Sequence, residues 1–185
     1  MNCIIWNTGG ANNAEFKRHC KAMIEMHKPI ILALLETRMG DHNKLAEDLG
    51  FSNKIQYPTV GTSRGLVIMW NDHNISINDI NISPQGIHTT VHVSNPPSYW
   101  YFSAIYVSNH FQDKKVLWNQ LTDLSDTINN DLQIAWLVGG DFNEILSSFE
   151  KFGRNNFNST RASHFWDCIN QSNLIDLGFR ESKFT

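Results

Sequence analysis

The stretch Ile134–Ile145, reading IAWLVGGDFNEI, constrains the fold of this chain more than any other. Apolar residues run unbroken from Ile134 to Val138 and stop at Gly139-Gly140, with Asp141, Phe142 and Asn143 directly after. A short, continuous, glycine-bounded run reads as a buried strand. The two glycines let the backbone turn tightly and approach a ligand. A carboxylate and a carboxamide then stand at the strand exit, where sites in α/β folds form. Gly, Asp and Asn are also ordinary turn formers, so this stretch alone leaves site and turn both open.

The 185 residues suffice for one domain with a real core, and 41% hydrophobic with 18% charged residues is a globular composition. The formal net charge of -3 excludes a global basic field, so contact with a polyanion has to be local. Cys3, Cys20 and Cys168 are widely spaced and odd in number. They form neither a metal spacing nor a disulfide framework, which points to an intracellular, reducing compartment, nucleus or cytoplasm. The opening MNCIIWNTGG has no basic flank and too short an apolar run for a leader. No run approaches the length of a membrane span, so no membrane partner is expected.

In chain order, Cys3–Trp6 reads as a strand ending in Asn7, Thr8, Gly9 and Gly10. A helix follows from Ala14 to His27, with Phe16, Cys20, Met23, Ile24 and His27 on one stripe, and Pro29 ends it. Ile30–Leu35 is a second continuous strand, with Glu36 at its exit. Strand, helix, strand implies a parallel pair and places Asn7 and Glu36 at the same sheet edge. Asp41–Leu49 reads as a short helix closed by Gly50. Shorter runs at Ser52–Tyr57, Leu66–Trp70, Ile75–Ile82, Ile87–Val93 and Tyr99–Val107 read as an antiparallel meander. Tyr106 and Asn109 mark the last exit of that series. Two further helices are expected: Lys114–Asn129, with Leu117, Leu121, Leu124 and Ile128 inward, and Arg161–Gln171, with Phe165, Trp166 and Ile169 inward. Lys183-Phe184-Thr185 looks like the start of another strand.

Asn7, Glu36, Tyr106 and Asp141, with Asn143 and Asn109, form an oxygen-rich set at strand exits. Each alone has an ordinary reading as a turn former, a solvated surface residue or a rim residue. Together they suit hydrolysis of a phosphodiester by a bound cation and an activated water. Glu36 offers a hard oxygen to Mg²⁺, which takes one or two carboxylates and completes its shell with water and phosphate. Asp141 can orient or deprotonate the water.

The stretches IIWNTGG, KPIILALLETRM, GLVIMW, AIYVSN, WLVGGDFNEILSSFEKFG and LIDLGFRESKFT span nearly the whole chain. With them the chain resembles the endonuclease/exonuclease/phosphatase superfamily, and within it the N-terminal endonuclease domain of plant LINE-type (non-LTR) retrotransposon polyproteins. The resemblance implies a four-layer α/β/β/α sandwich formed by a single domain over residues 1–185. It implies DNA as substrate and partner, and Mg²⁺ as cofactor with Mn²⁺ as substitute. It implies Glu36 as the metal-binding glutamate, Asp141 as the residue that positions or deprotonates water, and Asn143 as a carboxamide orienting water and phosphate. It further implies Asn7 as organiser of the site, Tyr106 as a contact to the scissile phosphate and Asn109 as a contact to the nucleic-acid backbone.

Two departures follow. Gly9 stands where some apurinic-site nucleases carry an acid. The family's later tryptophan-threonine strand, Arg-Leu-Asp segment and final Ser-Asp-His have no counterpart, and none of the eight histidines replaces that last one. The expectation is a domain missing its C-terminal strands, with little or no activity alone. A non-catalytic transposon-derived fragment, a nucleic-acid-binding module and a phosphatase acting on a smaller phosphoester are the alternatives.

Overall fold

The computed structural model describes residues 2–59, 65–71, 73–129, 134–150 and 157–178. The expected strand start at Lys183-Phe184-Thr185 lies outside them. The elements are β1 (Cys3–Asn7), α1 (Ala14–His27), β2 (Ile31–Leu35), α2 (Asn43–Leu49), β3 (Asn53–Tyr57), β4 (Leu66–Trp70), β5 (Ile75–Ser83), β6 (Gly86–Ser94), β7 (Pro97–Tyr106), α3 (Phe111–Asn129), β8 (Ala135–Asp141) and α4 (Ser159–Gln171). The fold is mixed α/β, with two sheets and helices, as the strand-helix-strand opening predicts. The chain divides into two compact units, Met1–Tyr106 with Gln133–Asp141, and Val107–Leu132 with Phe142–Thr185.

The first unit holds both sheets. One has the order β1-β2-β4-β3 and the other β5-β6-β7-β8. β1 pairs parallel with β2, and β7 pairs parallel with β8. The expected single meander is corrected here. β4 inserts between β2 and β3 in the first sheet, and only β5, β6 and β7 run as a meander in the second.

β2 explains the first arrangement. All five of its residues are buried, so its sequence is continuously apolar rather than alternating. Ile31, Ala33 and Leu35 join Leu66, Ile68, Val91 and Phe102 in the core between the sheets. Leu32 and Leu34 point the other way, onto Phe16 and Cys20 of α1 and Leu45 and Leu49 of α2. Helix α1 begins at Asn13, whose side chain accepts from the Phe16 amide at 2.6 Å, and ends at Lys28 in a left-handed conformation just before Pro29. A bulge between Asp79 and Asn81 in β5 shifts the alternation set by Ile75 and Ile77.

The second unit pairs α3 with α4. Trp118 stacks on Phe165 at 4.9 Å between ring centres, and Phe142 meets Phe165 at 5.1 Å. The buried residues of α4 are Ala162, Phe165 and Cys168, which corrects the expected inward face. Trp166 is 54% exposed. On α3, Lys114 and Ser125 join Leu117, Leu121 and Ile128 inside. All three cysteines are free thiols, and burial pushes the pKa of each up to about 11, which disfavours the thiolate at neutral pH.

Candidate active site

Two parallel strand pairs set the positions of the polar exits. In the first sheet Asn7 lies in register with Leu35, so Glu36 follows directly beside it. In the second sheet Tyr106 lies in register with Asp141. The Asn7 carboxamide donates from Nδ2 to Asp141 Oδ2 at 2.7 Å, joining the exit of β1 to that of β8. The Tyr106 phenol lies within reach of the Glu36 carboxylate, whose charge and hydrogen bonding help raise its pKa, so the exits of β7 and β2 are neighbours. Four side chains predicted from the sequence thus meet within the first unit. Asn7 is exposed, and Glu36, Tyr106 and Asp141 are half-buried, so the corner is open to water.

The glycines of β8 make this corner reachable, for a reason other than the turn that the sequence suggests. Both lie inside the strand, which runs to Asp141. Gly140 has φ +147, and a Cβ there would overlap the Ile105 carbonyl on β7. A Cβ on Gly139 would meet the Ile5 side chain of β1. The missing side chains bring β8 close to both neighbours, and so bring Asp141 to Asn7 and Tyr106.

The Glu36 exit is held from beneath. Glu36 and Arg38 both have positive φ, 52 and 55, a conformation that costs a non-glycine residue about 1–2 kcal/mol. Thr37 between them is fully buried, and its amide donates to the Gly65 carbonyl at 3.0 Å. Its hydroxyl pairs with His42 Nε2 at 2.6 Å, and His42 Nδ1 pairs with Gln56 Oε1 at 2.8 Å. A carbonyl oxygen can only accept, so His42 donates from Nδ1 and accepts the Thr37 hydroxyl at Nε2. Burial lowers the His42 pKa, partly offset by the Gln56 hydrogen bond, which favours this neutral form. Gly65 has φ +92, and a Cβ there would collide with the Thr37 hydroxyl.

Charge around the corner is mixed. Arg38 reaches Glu36 Oε1 at 2.6 Å and is 53% exposed at its side chain. Burial raises the Tyr106 pKa, and so do the charge of Glu36, the hydrogen bond to it and the charge of Asp141. The phenol therefore remains a protonated donor at neutral pH. Among the described residues no three His, Cys, Asp or Glu side chains gather as a metal cage. Two carboxylates in an open, hydrated corner are still a donor set that suits Mg²⁺, which takes one or two and keeps several waters.

Asn143 and Asn109 belong to the second unit. Asn143 has φ 47, and its Nδ2 donates to the Val107 carbonyl at 2.7 Å. Asn109 is exposed in the segment ahead of α3. His164 is exposed on α4 beside Phe111, with 5.4 Å between ring centres. Sequence reasoning missed Arg38, His42, Lys114 and Glu144. The first and last directly follow the stretches LLET and GDFN, and that adjacency was the available signal. His42 and Lys114 had none.

The architecture is a two-sheet α/β one whose oxygen-bearing side chains gather at strand exits. Residues 4–170 match the Endonuclease/Exonuclease/phosphatase family, and the chain belongs to this family of hydrolases acting on phosphodiester and related phosphoester bonds. Among solved structures, an AP endonuclease from Leishmania major is 13% identical at TM-score 0.66, covering 91% of this chain and 66% of that one. A 3' phosphatase, NExo, from Neisseria, bound to a product DNA hairpin, is 14% identical at TM-score 0.64, covering 90% of this chain and 69% of that one. A mannosyl-6-phosphatase from Bacteroides thetaiotaomicron is 11% identical at TM-score 0.57, covering 76% of this chain and 64% of that one. These likenesses show the fold, and the chain spans about two thirds of the length of those structures. No curated protein matches the chain.

Proposed function

We propose that this domain hydrolyses phosphodiester bonds of DNA with Mg²⁺, or Mn²⁺ in its place, as cofactor. The observation that carries the reading is the meeting of Glu36 and Asp141, distant in sequence, through Asn7 and Tyr106. Glu36 is the residue proposed to hold the cation, which when bound would lower the pKa of a water and screen phosphate charge. Asp141, oriented by the Asn7 carboxamide, positions and deprotonates the attacking water. Tyr106, kept protonated, turns its single O–H from Glu36 to a phosphate oxygen, and Asn7 donates its second Nδ2 proton there. Asn143 is assigned to the water and the phosphate, and Asn109 to the nucleic-acid backbone, by the family resemblance. GDFNEILSSFEK and KPIILALLETRM support the finer reading of a LINE-type retrotransposon endonuclease.

Nicking of supercoiled plasmid in Mg²⁺ tests this. The sequence leads one to expect low parent activity, and whatever Mg²⁺-dependent nicking is seen should slow on the order of 10²–10⁴-fold in Glu36→Ala. Nicking as fast in Glu36→Ala as in the parent chain would overturn the assignment. A second reading, a phosphatase acting on a smaller phosphoester, is favoured by the net charge of -3. Phosphate release from small esters without nicking would select it. Salt-dependent DNA binding without any hydrolysis would instead select a binding module.

A further inference from the structure

The second unit contains a lysine in an unusual place. Lys114 sits near the start of α3, and its side chain is 0% exposed. An ammonium group is strongly penalised away from water unless it is paired and hydrogen-bonded. A cation at this end of a helix also opposes the helix dipole. A leucine would meet neither cost, so stability does not explain the choice.

The lysine's partners suggest what does. Its Nζ donates to the backbone carbonyl of Asn143 and, at 2.9 Å, to Glu144 Oε2. Arg161 of α4 donates from Nε to the same carboxylate oxygen at 3.0 Å. The Glu144 side chain is only 8% exposed. Burial raises its pKa, and the hydrogen bonds and charges of Lys114 and Arg161 outweigh that and lower it. Among the described residues, Lys114 and Arg161 share one carboxylate, and Lys114 also holds the Asn143 carbonyl. Asn143 is itself left-handed and tied through its side chain to the Val107 carbonyl. A residue in an unfavoured conformation is gripped at its backbone and at its side chain together.

We propose that Lys114, fixed by Glu144 and Arg161, is a positioning residue that holds the Asn143 carboxamide in one orientation. This rests on the reading of Asn143 as a site residue. It assigns the buried charge group a purpose that packing does not supply.

The Asn143 side-chain amide protons, followed by NMR hydrogen exchange, report the grip directly. In Lys114→Met the rise in their exchange rate should exceed, by at least tenfold, the general rise that lost stability gives the backbone amides of β8 and of the α3 centre. Lys114→Arg should restore part of the protection. Unchanged Asn143 exchange in folded Lys114→Met would overturn the proposal, as would a uniform rise through α3 and α4. If Lys114→Met does not fold, Arg161→Ala takes its place. It should speed Asn143 exchange several-fold, and no change would overturn the proposal. Asn143→Ala with undiminished nicking would remove Asn143 from the site, and the exchange data would still decide the brace.

Discussion

The two units each gather charged side chains, and they do so in opposite ways. In the corner around Glu36 and Asp141 the groups reach water: Asn7 is exposed, and the Glu36 side chain keeps 19% of its surface. In the knot of Lys114, Glu144 and Arg161 the first two side chains are 0% and 8% exposed. Exposed pairs are worth little to stability because water competes for each charge. Buried ones are costly to assemble and costlier to break. The open corner therefore has charge available for chemistry, whereas the closed knot has committed its charge to holding a shape.

Substitutions should separate the two kinds of cluster. The largest effect is expected beneath the corner. Gly140→Ala forces a side chain into the Ile105 carbonyl at a positive φ, and should cost more than about 4 kcal/mol or abolish the cooperative melt. Lys114→Met comes next. It leaves Glu144 in place with one cation fewer, and chemical denaturation should show a loss of about 3–5 kcal/mol. A loss below about 1 kcal/mol would mean that the knot behaves like a surface pair, and the comparison would fail.

Acid sensitivity sharpens the contrast by naming a third group. His88 is 2% exposed, its Nδ1 2.8 Å from the Ser103 hydroxyl, which also accepts from Trp136. Burial lowers its pKa from 6.5 to about 4. The unfolded chain binds this proton below pH 6.5 and the folded chain does not until about pH 4. Stability is then full above pH 6.5 and declines as pH falls toward 4, by about 3 kcal/mol in all. His88→Gln should flatten that slope, as read from denaturation midpoints across this range. Glu144 acts lower: its depressed pKa contributes stability above 4.5 that is lost as pH falls through the folded value.

The smallest effect on stability belongs to Arg38, whose side chain is 53% exposed. Arg38→Ala should leave the melting temperature unchanged. Because it removes the cation competing for Glu36 Oε1, Mn²⁺ binding measured by electron paramagnetic resonance should tighten several-fold. Weaker binding would instead make Arg38 a support for the Glu36 carboxylate.

Much of the corner was legible because it depends on strand ends. A continuous run such as ILALL announces a strand buried on both faces, and the first polar residue after it announces the exit. Four such exits predicted Asn7, Glu36, Tyr106 and Asp141 without knowledge of the sheet order. The order itself was hidden: nothing in LVIMW says that β4 lies between β2 and β3. Gly139 and Gly140 read as a turn because the signal for a turn and that for close strand approach are the same residue. Trp166 read as core because helical spacing gives the stripe but not its edges. The knot was the least legible part. Lys114, Glu144 and Arg161 each look like a solvated charge, and only tertiary contact converts them into a buried set.

Paramagnetic line broadening by Mn²⁺, followed on backbone amides, tests the central claim that four strand exits gather around a cation held at Glu36. Substoichiometric Mn²⁺ should broaden Asn7, Glu36, Tyr106 and Asp141 together, and Glu36→Gln should weaken all four effects in parallel. Broadening that reaches Glu36 while Asp141 stays sharp, or that survives Glu36→Gln, would contradict the account.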